Sequence, residues 1–312
     1  MTTVNIVLGN HVTNIGNGFL DVGSKASIQL ADPEADVFNT SSFPRWYEHT
    51  QMGRKGLLKK SEPNFFSIVY RLQADFAVFS GMVITTGFVD RYGEIIRKMR
   101  ANGTKIILNG AGPVRYTDEE TDRCRAYWSD VGLHALVSRD TYTYERYSDL
   151  AELPFDGIDC GFFLSDGYSP RKLDAPAYDV AAFDGIKESG DLYSEGRTVV
   201  RPHHKIFPSL NLRDSGAAFK PNVFISEQVA DYLNIYGNAT TVRTDRVHAC
   251  VAAVSYDVPC QLYSDTKRGF LFEKLGISRE QLQSELTRID RQKLQDAKGA
   301  QVAFLESVLK DG

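Results

Sequence analysis

The sequence predicts an α/β protein built from parallel strand–helix units in two lobes. Three observations predict this. Short β-rich apolar runs alternate with helix-length amphipathic segments. Each strand candidate ends in a turn, often glycine-bearing, that opens a helix. A stretch rich in Gly, Pro, Asp and Ser, residues 165–221, interrupts the rhythm before it resumes. Such alternation selects parallel strands with right-handed crossovers, whose functional loops lie beyond the carboxyl ends of the strands.

The first strand candidate is Val4–Leu8, closed by the polar, glycine-bearing stretch 9–18 and followed by a helix to about Gln29. Asp75–Ser80 is the next. Its helix, Phe88–Ala101, places Val89, Tyr92, Ile95, Ile96 and Met99 on one face, and Asn102-Gly103 stops it. Lys105–Leu108 follows, then the glycine turn 109–113. Thr117-Asp118-Glu119-Glu120 has the form of a capping box, with Cys124, Tyr127, Trp128 and Val131 continuing an apolar face. Ala135–Ser138 is a short strand before a helix over 139–150. Beyond the interruption come a strand at Asn222–Ser226, a helix at 227–236, a strand at Thr240–Arg243, a buried helix at Val247–Val254 and a strand at Pro259–Tyr263. Two charged amphipathic helices, 278–289 and 293–309, end the chain. The expected lobes are 1–165 and 166–312.

The apolar share of 42% and charged share of 24% suit globular lobes with buried cores. A net charge of -4 argues against nucleic acid as a partner. The four cysteines form no CxxC unit and read as reduced thiols. Residues 1–8 lack the marks of a signal peptide, and no apolar run reaches membrane-span length, so a cytoplasmic protein is expected.

Three segments carry chemistry. In Thr244-Asp245-Arg246-Val247-His248 a strand end opens a buried helix. Its first amides and dipole favour an anion, Arg246 offers a fork for phosphate or carboxylate, and His248 can donate or move a proton. The bland alternative is an Arg–Asp surface pair beside a packed His. At Ser138-Arg139-Asp140 another strand end opens a helix; Arg139 reads as an anion ligand, and Asp140 as a proton-transfer group or simply an N-cap. The turn Asn14-Ile15-Gly16-Asn17-Gly18 permits close approach of a ligand or merely joins strand to helix. Lys267 is a further anion ligand or a solvated side chain. His203-His204, lacking acidic or sulfur partners, reads as a surface pair, and Trp46-Tyr47 and Tyr142, Tyr144 and Tyr147 as packing or sugar-stacking residues.

Together these segments resemble the polysaccharide pyruvyl transferase family. The resemblance rests on Arg246, His248, Ala249, Ala252, Ala253, Val258-Pro259 and Lys267 in that order, on Arg139-Asp140, and on Asn14-Ile15-Gly16. The chain departs from the family at Asn17, at Thr143 and at Asp159-Cys160-Gly161. The resemblance implies two Rossmann-like lobes in a GT-B-like arrangement, with a central cleft. It implies phosphoenolpyruvate as donor, a glycan or lipid-linked sugar diol as acceptor, a pyruvate ketal as product, and no metal or organic cofactor. The acceptor suggests work at the inner membrane face, with peripheral association. In that scheme Arg246 and His248 hold the donor from the C-terminal lobe and Arg139 from the N-terminal lobe. His248, or else Asp140, moves the proton, while Asn14, Gly16, Asn17 and Lys267 line the substrate. The alternatives are a GT-B glycosyltransferase using a nucleotide-sugar and a non-catalytic glycan-binding module.

Overall fold

The computed structural model describes residues 1–9, 14–41, 68–188, 196–204 and 221–310. The chain forms two compact units that are not consecutive stretches. The first holds 1–10, 27–159 and 300–312, the second 11–26 and 160–299.

The first unit is built on a six-stranded parallel sheet of order β2-β1-β3-β4-β5-β6. Its strands are β1 (Thr3–Leu8), β2 (Asp36–Ser41), β3 (Phe76–Ser80), β4 (Lys105–Ala111), β5 (Leu133–Ser138) and β6 (Ala151–Asp156). Period-two alternation divides the core between the sheet faces. Phe76, Val78, Ile107, Ala135 and Val137 face one way. They pack with Ile28 and Ala31 of helix α1 (Gly16–Ala31) and with Leu305, Val308 and Leu309 of the C-terminal helix, Arg291–Lys310. Ala77, Phe79, Ile106, Leu108 and Leu136 face the other way, against α2 (Thr86–Ala101) and α3 (Asp118–Val131). All five apolar residues placed on one face of α2 by spacing pack into this layer. Thr85 and Thr117 cap the two helices through their hydroxyls, as the sequence anticipates for Thr117. A short helix, α4 (Thr141–Tyr147), follows β5.

One buried polar chain fixes the return of the C-terminal helix to this unit. Gln301 Oε1 accepts from the Ile158 N–H at 2.8 Å, and its Nε2 donates to Asn109 Oδ1 at 3.2 Å. Asn109 Nδ2 in turn donates to Ser27 Oγ at 3.0 Å. Gln301→Ala strands a buried amide and a buried carbonyl oxygen. We expect it to cost about 2–4 kcal/mol, read as a lower urea midpoint at unchanged slope.

The second unit carries a five-stranded parallel sheet of order β11-β10-β7-β8-β9. The strands are β7 (Tyr178–Ala182), β8 (Thr198–Pro202), β9 (Val223–Phe224), β10 (Val242–Thr244) and β11 (Cys260–Leu262). The helices are α5 (Leu164–Gly167), α6 (Val229–Gly237), α7 (Val247–Ser255) and α8 (Arg279–Ser284); the C-terminal helix, α9, begins here. α7 is buried at every position, which its run of small and apolar residues permits. Gly23 of α1 packs on the backbone of Cys160: a Cβ there would lie 1.9 Å from the Cys160 carbonyl oxygen. Backbone cannot yield as a side-chain tip can. Gly23→Ala should therefore cost about 1–3 kcal/mol, measurable as a drop in Tm.

The expected α/β fold of two Rossmann-like lobes with parallel sheets is thus the observed one, with specific corrections. Residues 165–221, expected to be a lobe junction with irregular elements, contain β7 and β8, which are interior strands. β7 and β8 are short and carry Asp179, Arg201 and Pro202, so their apolar signal is weak. β2 and β6 were not anticipated either. β6 contains Pro154, which an edge strand tolerates because one side needs no hydrogen-bond donor. The helix expected at 278–289 stops at Ser284, and Thr287 forms an antiparallel bridge with Cys260. Trp46 and Tyr47 lie outside the described residues. No helix among the described residues is long and apolar enough to cross a membrane.

Candidate functional site

In the second unit the chain runs from β7 outward through β8 to β9, then returns to the other side of β7 for β10 and β11. The carboxyl ends of β7 and β10 therefore flank a topological switch point, where loops diverge and open sheets bind ligands. Thr244-Asp245-Arg246 leaves β10 at this point, and Phe183-Asp184-Gly185 leaves β7.

Two side chains from the β10 segment stitch the turns together. Thr244 Oγ1 donates to the Ala182 carbonyl at 2.6 Å and accepts from the Arg246 N–H at 2.8 Å. Asp245 accepts from the backbone N–H groups of Gly185 at 2.6 Å and Ile186 at 2.9 Å, with a longer contact from Asp184 N–H at 3.2 Å. Asp245 is thereby occupied in shaping the β7 turn.

Arg246 is not a surface residue. Its guanidinium makes an ion pair with Asp184, and its Nε lies 3.7 Å from Asp245. Asp184 also accepts from His203 Nδ1 at 2.8 Å, so one carboxylate joins Arg246 to the end of β8. Burial works to raise the Asp184 carboxyl, but the His203 hydrogen bond and Arg246 prevail and hold it at about 2. His204, fully buried, points Nε2 at the Tyr236 hydroxyl at 2.6 Å. Burial pushes its pKa down to about 3; Arg246, His248 and His203 reinforce the shift, and Asp184 opposes it. The neutral ring is thus favoured at ordinary pH.

The turn at Asn14–Gly16 also belongs to this unit and meets the same group. A Cβ on Gly16 would lie 3.3 Å from His204 Nδ1 and 3.6 Å from His248 Cβ, so the start of α1 packs against the start of α7. Asn14 Oδ1 accepts from Gly16 N–H at 3.3 Å, while the Ile15 N–H donates to the His204 carbonyl at 2.8 Å. The amides of this turn are engaged within the protein. Asn17 sits half-buried in the first turn of α1.

The start of α7, like those of α5 and α6, has no side-chain cap, but it alone of the three opens at the switch point. Thr85, Thr117, Asp140 and Ser278 each cap a helix with a side-chain oxygen. Arg246, the N-cap of α7, makes no side-chain cap. Val247 and His248, both buried, open this helix at the switch point. Since Asp184 already meets the Arg246 charge, attraction for an anion here rests on the helix dipole, the first amides and His248.

Arg139 and Asp140 belong to the first unit, and Lys267 to the second. Arg139 is fully buried within the first unit. Its guanidinium donates to the Pro113 carbonyl and, at 3.2 Å, to the Tyr116 hydroxyl, with Asp140 at 3.6 Å and Asp159 at 4.0 Å. Burial opposes its charge, yet Tyr116 and the two carboxylates raise its pKa further. Gly112 makes room for it: a Cβ there would lie 2.3 Å from Arg139 Nε. Asp140 is the N-cap of α4. It accepts from Thr143 N–H at 2.8 Å, Thr143 Oγ1 at 2.6 Å and Tyr116 hydroxyl at 2.7 Å. Lys267 opens a 3-10 run at Lys267–Leu275 and is exposed. Of the tyrosines, Tyr147 is buried and Tyr142 lies under the Arg146 guanidinium.

Sequence reasoning passed over Asp184 and placed His203 and His204 on the surface. Both histidines are buried. The available signal was positional and weak: Asp184 follows YDVAAF and His203-His204 follows VVRP, so recognising those segments as strands would have put all three at strand ends. No group of three or more potential metal ligands occurs among the described residues.

No protein-family model matches the chain, and no curated protein matches it in sequence. Its fold is nevertheless found in solved structures. UDP-N-acetylglucosamine 2-epimerase from Rickettsia bellii aligns over 99% of this chain and 95% of its own, at 12% identity and a TM-score of 0.56. The Methanocaldococcus jannaschii UDP-GlcNAc 2-epimerase, in complex with UDP-GlcNAc and UDP, aligns over 99% of each chain, at 12% identity and 0.54. The Neisseria meningitidis enzyme bound to UDP-GlcNAc covers 98% and 94%, at 11% and 0.50. These findings correct the sequence reading. These three structures sharing the fold are UDP-GlcNAc 2-epimerases, not pyruvyl transferases, and neither pyruvyl transfer nor phosphoenolpyruvate as donor has support. The Arg-x-His pattern misled because a strand end opening a buried helix produces it for structural reasons: Arg246 is held by Asp184, and His248 packs at the helix start. What the comparisons establish is the fold, an α/β, GT-B-like class with two Rossmann-like lobes and parallel sheets.

Proposed function

We propose that this protein is an enzyme acting on a UDP-linked sugar, with its second unit holding the diphosphate at the start of α7. The observation that carries the proposal is the uncapped start of a buried helix at the switch point between β7 and β10. A diphosphate supplies the acceptor oxygens such a start calls for. Arg246, fixed by Asp184, shapes the rim, and His248 adds a donor from the first turn of the helix. The fold supports the ligand class, since the aligned Methanocaldococcus jannaschii enzyme is complexed with UDP-GlcNAc and UDP. By analogy of fold, the reaction proposed is isomerisation at the sugar.

Titration calorimetry with UDP and UDP-GlcNAc tests the site, and proton NMR of UDP-GlcNAc for its 2-epimer tests the reaction. We expect binding by the wild-type chain. His248→Ala should weaken it about 10- to 100-fold, the effect of one hydrogen bond to a charged ligand. Equal affinity in the variant, or no affinity in the wild type, contradicts the assignment.

A further inference from the structure

The His203 ring that Asp184 holds has no part in the proposed diphosphate site. Asp184 follows β7 and His203 follows β8, so adjacent carboxyl ends of the sheet supply the two partners. The Nδ1···Oδ1 distance is 2.8 Å, and His203 is 4% exposed. A carboxylate only accepts, so Nδ1 carries the hydrogen, and in the neutral ring Nε2 is left as a lone-pair acceptor. Nε2 is buried and has no hydrogen-bond partner among the described residues.

Leaving a buried imidazole nitrogen unpaired is unfavourable. The protein nevertheless fixes the ring from two sides. Asp184 holds Nδ1, and the Tyr232 hydroxyl donates to the His203 backbone carbonyl at 2.6 Å. The same carboxylate holds Arg246, which is partly exposed and is the N-cap of α7. One carboxylate thus joins the His203 ring, through Nδ1, to the residue that opens α7. Among the described residues, the charged and titratable groups beside this ring are Asp184, His204 and Tyr232, with Arg246 on the same carboxylate. Of these the neutral His204 ring and the Tyr232 hydroxyl are occupied with other partners.

We propose that His203 Nε2 is a specificity-determining contact that accepts a hydrogen bond from a hydroxyl of the bound sugar nucleotide. Its tautomer is set by Asp184, so the contact selects donors. A hydroxyl satisfies it, whereas a deoxy or fluoro replacement at the same carbon leaves it unpaired. Sites built to pair a buried polar group discriminate strongly against ligands that lack the partner. The inference rests on the nucleotide-sugar reading of the α7 site.

The test is calorimetry on the full chain with UDP-GlcNAc and a series lacking one hydroxyl each: 2′-deoxy and 3′-deoxy on the ribose, 3-, 4- and 6-deoxy on the sugar. Wild type should lose about 10- to 100-fold in affinity for one member of the series. His203→Phe should bind that member and the parent equally, while still separating the remaining ligands as wild type does. His203→Gln, whose amide oxygen can accept, should restore part of the preference. If wild type binds UDP-GlcNAc but every deletion costs the same in wild type and His203→Phe, the His203 contact is wrong and the site reading stands. If wild type binds none of the ligands, the site reading fails and the contact with it. Should His203→Phe fail to fold, His203→Gln decides alone: an unchanged preference across the series overturns the proposal.

Discussion

Replacing Asp184 with Ala should destabilise the protein by about 3–5 kcal/mol, among the largest effects expected of any single substitution in the second unit. The carboxylate is 96% removed from solvent and serves two partners from different strand ends, Arg246 after β10 and His203 after β8. Removing it leaves a guanidinium that, among the described residues, faces only Asp245 at 3.7 Å, and that residue is already committed to three backbone N–H groups. The penalty is that of an uncompensated, partly buried charge rather than the net worth of the pair. Asp184→Ala combined with Arg246→Met should therefore recover much of the loss. Urea unfolding of the two single variants and the double variant measures the coupling, and strictly additive effects would contradict the network described.

The legibility of this molecule differs between its parts for physical reasons. α2 was readable because Tyr92, Ile95, Ile96 and Met99 recur at helical spacing against one face of a sheet. α3 was readable from Thr117 and the acidic residues of its first turn. β7 and β8 were not. Five residues with Asp, Arg or Pro among them give no window long enough for a period, and their identity as strands comes from pairing with β10 and each other. His203 and His204 went with them, since a residue is recognised as lying at a strand end only once the strand is recognised. The segment from Thr244 to His248 was found, and its helix start is where the sequence placed it. What sequence alone did not show is that Arg246 has a partner. Asp184 lies about sixty residues away, and nothing local announces the pair. A free Arg and His invite an anion, whereas a paired Arg leaves that task to the helix, which is why a short motif favoured the wrong donor.

Arg139 makes the same point in the first unit. At the end of β5 it has the sequence context of a ligand-binding arginine, yet its contacts are Pro113, Tyr116, Asp140 and Asp159, all within that unit. Tyr116 holds its position at a positive φ of 56°, an uncommon conformation for a residue with a Cβ, and its hydroxyl bridges Arg139 and Asp140. This positive φ accompanies the buried charge network that closes the strand end.

Acid should unfold the second unit's site early, and His204 sets the first step. Its pKa in the folded chain is about 3, against 6.5 in an unfolded one, because burial penalises the imidazolium and the neighbouring Arg246 adds to the penalty. Between those values the unfolded chain binds the proton and the folded chain does not, so stability rises with pH across the window. Lowering pH from about 6.5 towards 3 therefore removes stability, to a total on the order of 4 kcal/mol for a fully buried ring. Asp184 adds a second step of the same sign. Its carboxyl lies near 2 when folded, below the ordinary 3.8, so its contribution is present above 3.8 and lost as pH falls through 2. The two steps separate on the pH axis, because the interval from 6.5 to 4.5 lies above the second. His204→Gln keeps a hydrogen-bonding partner for the Tyr236 hydroxyl but cannot titrate. Urea midpoints measured from pH 7 to 4.5 should fall steeply for the wild type and stay nearly flat for the variant. Parallel slopes in the two proteins would show that His204 is not the group that charges.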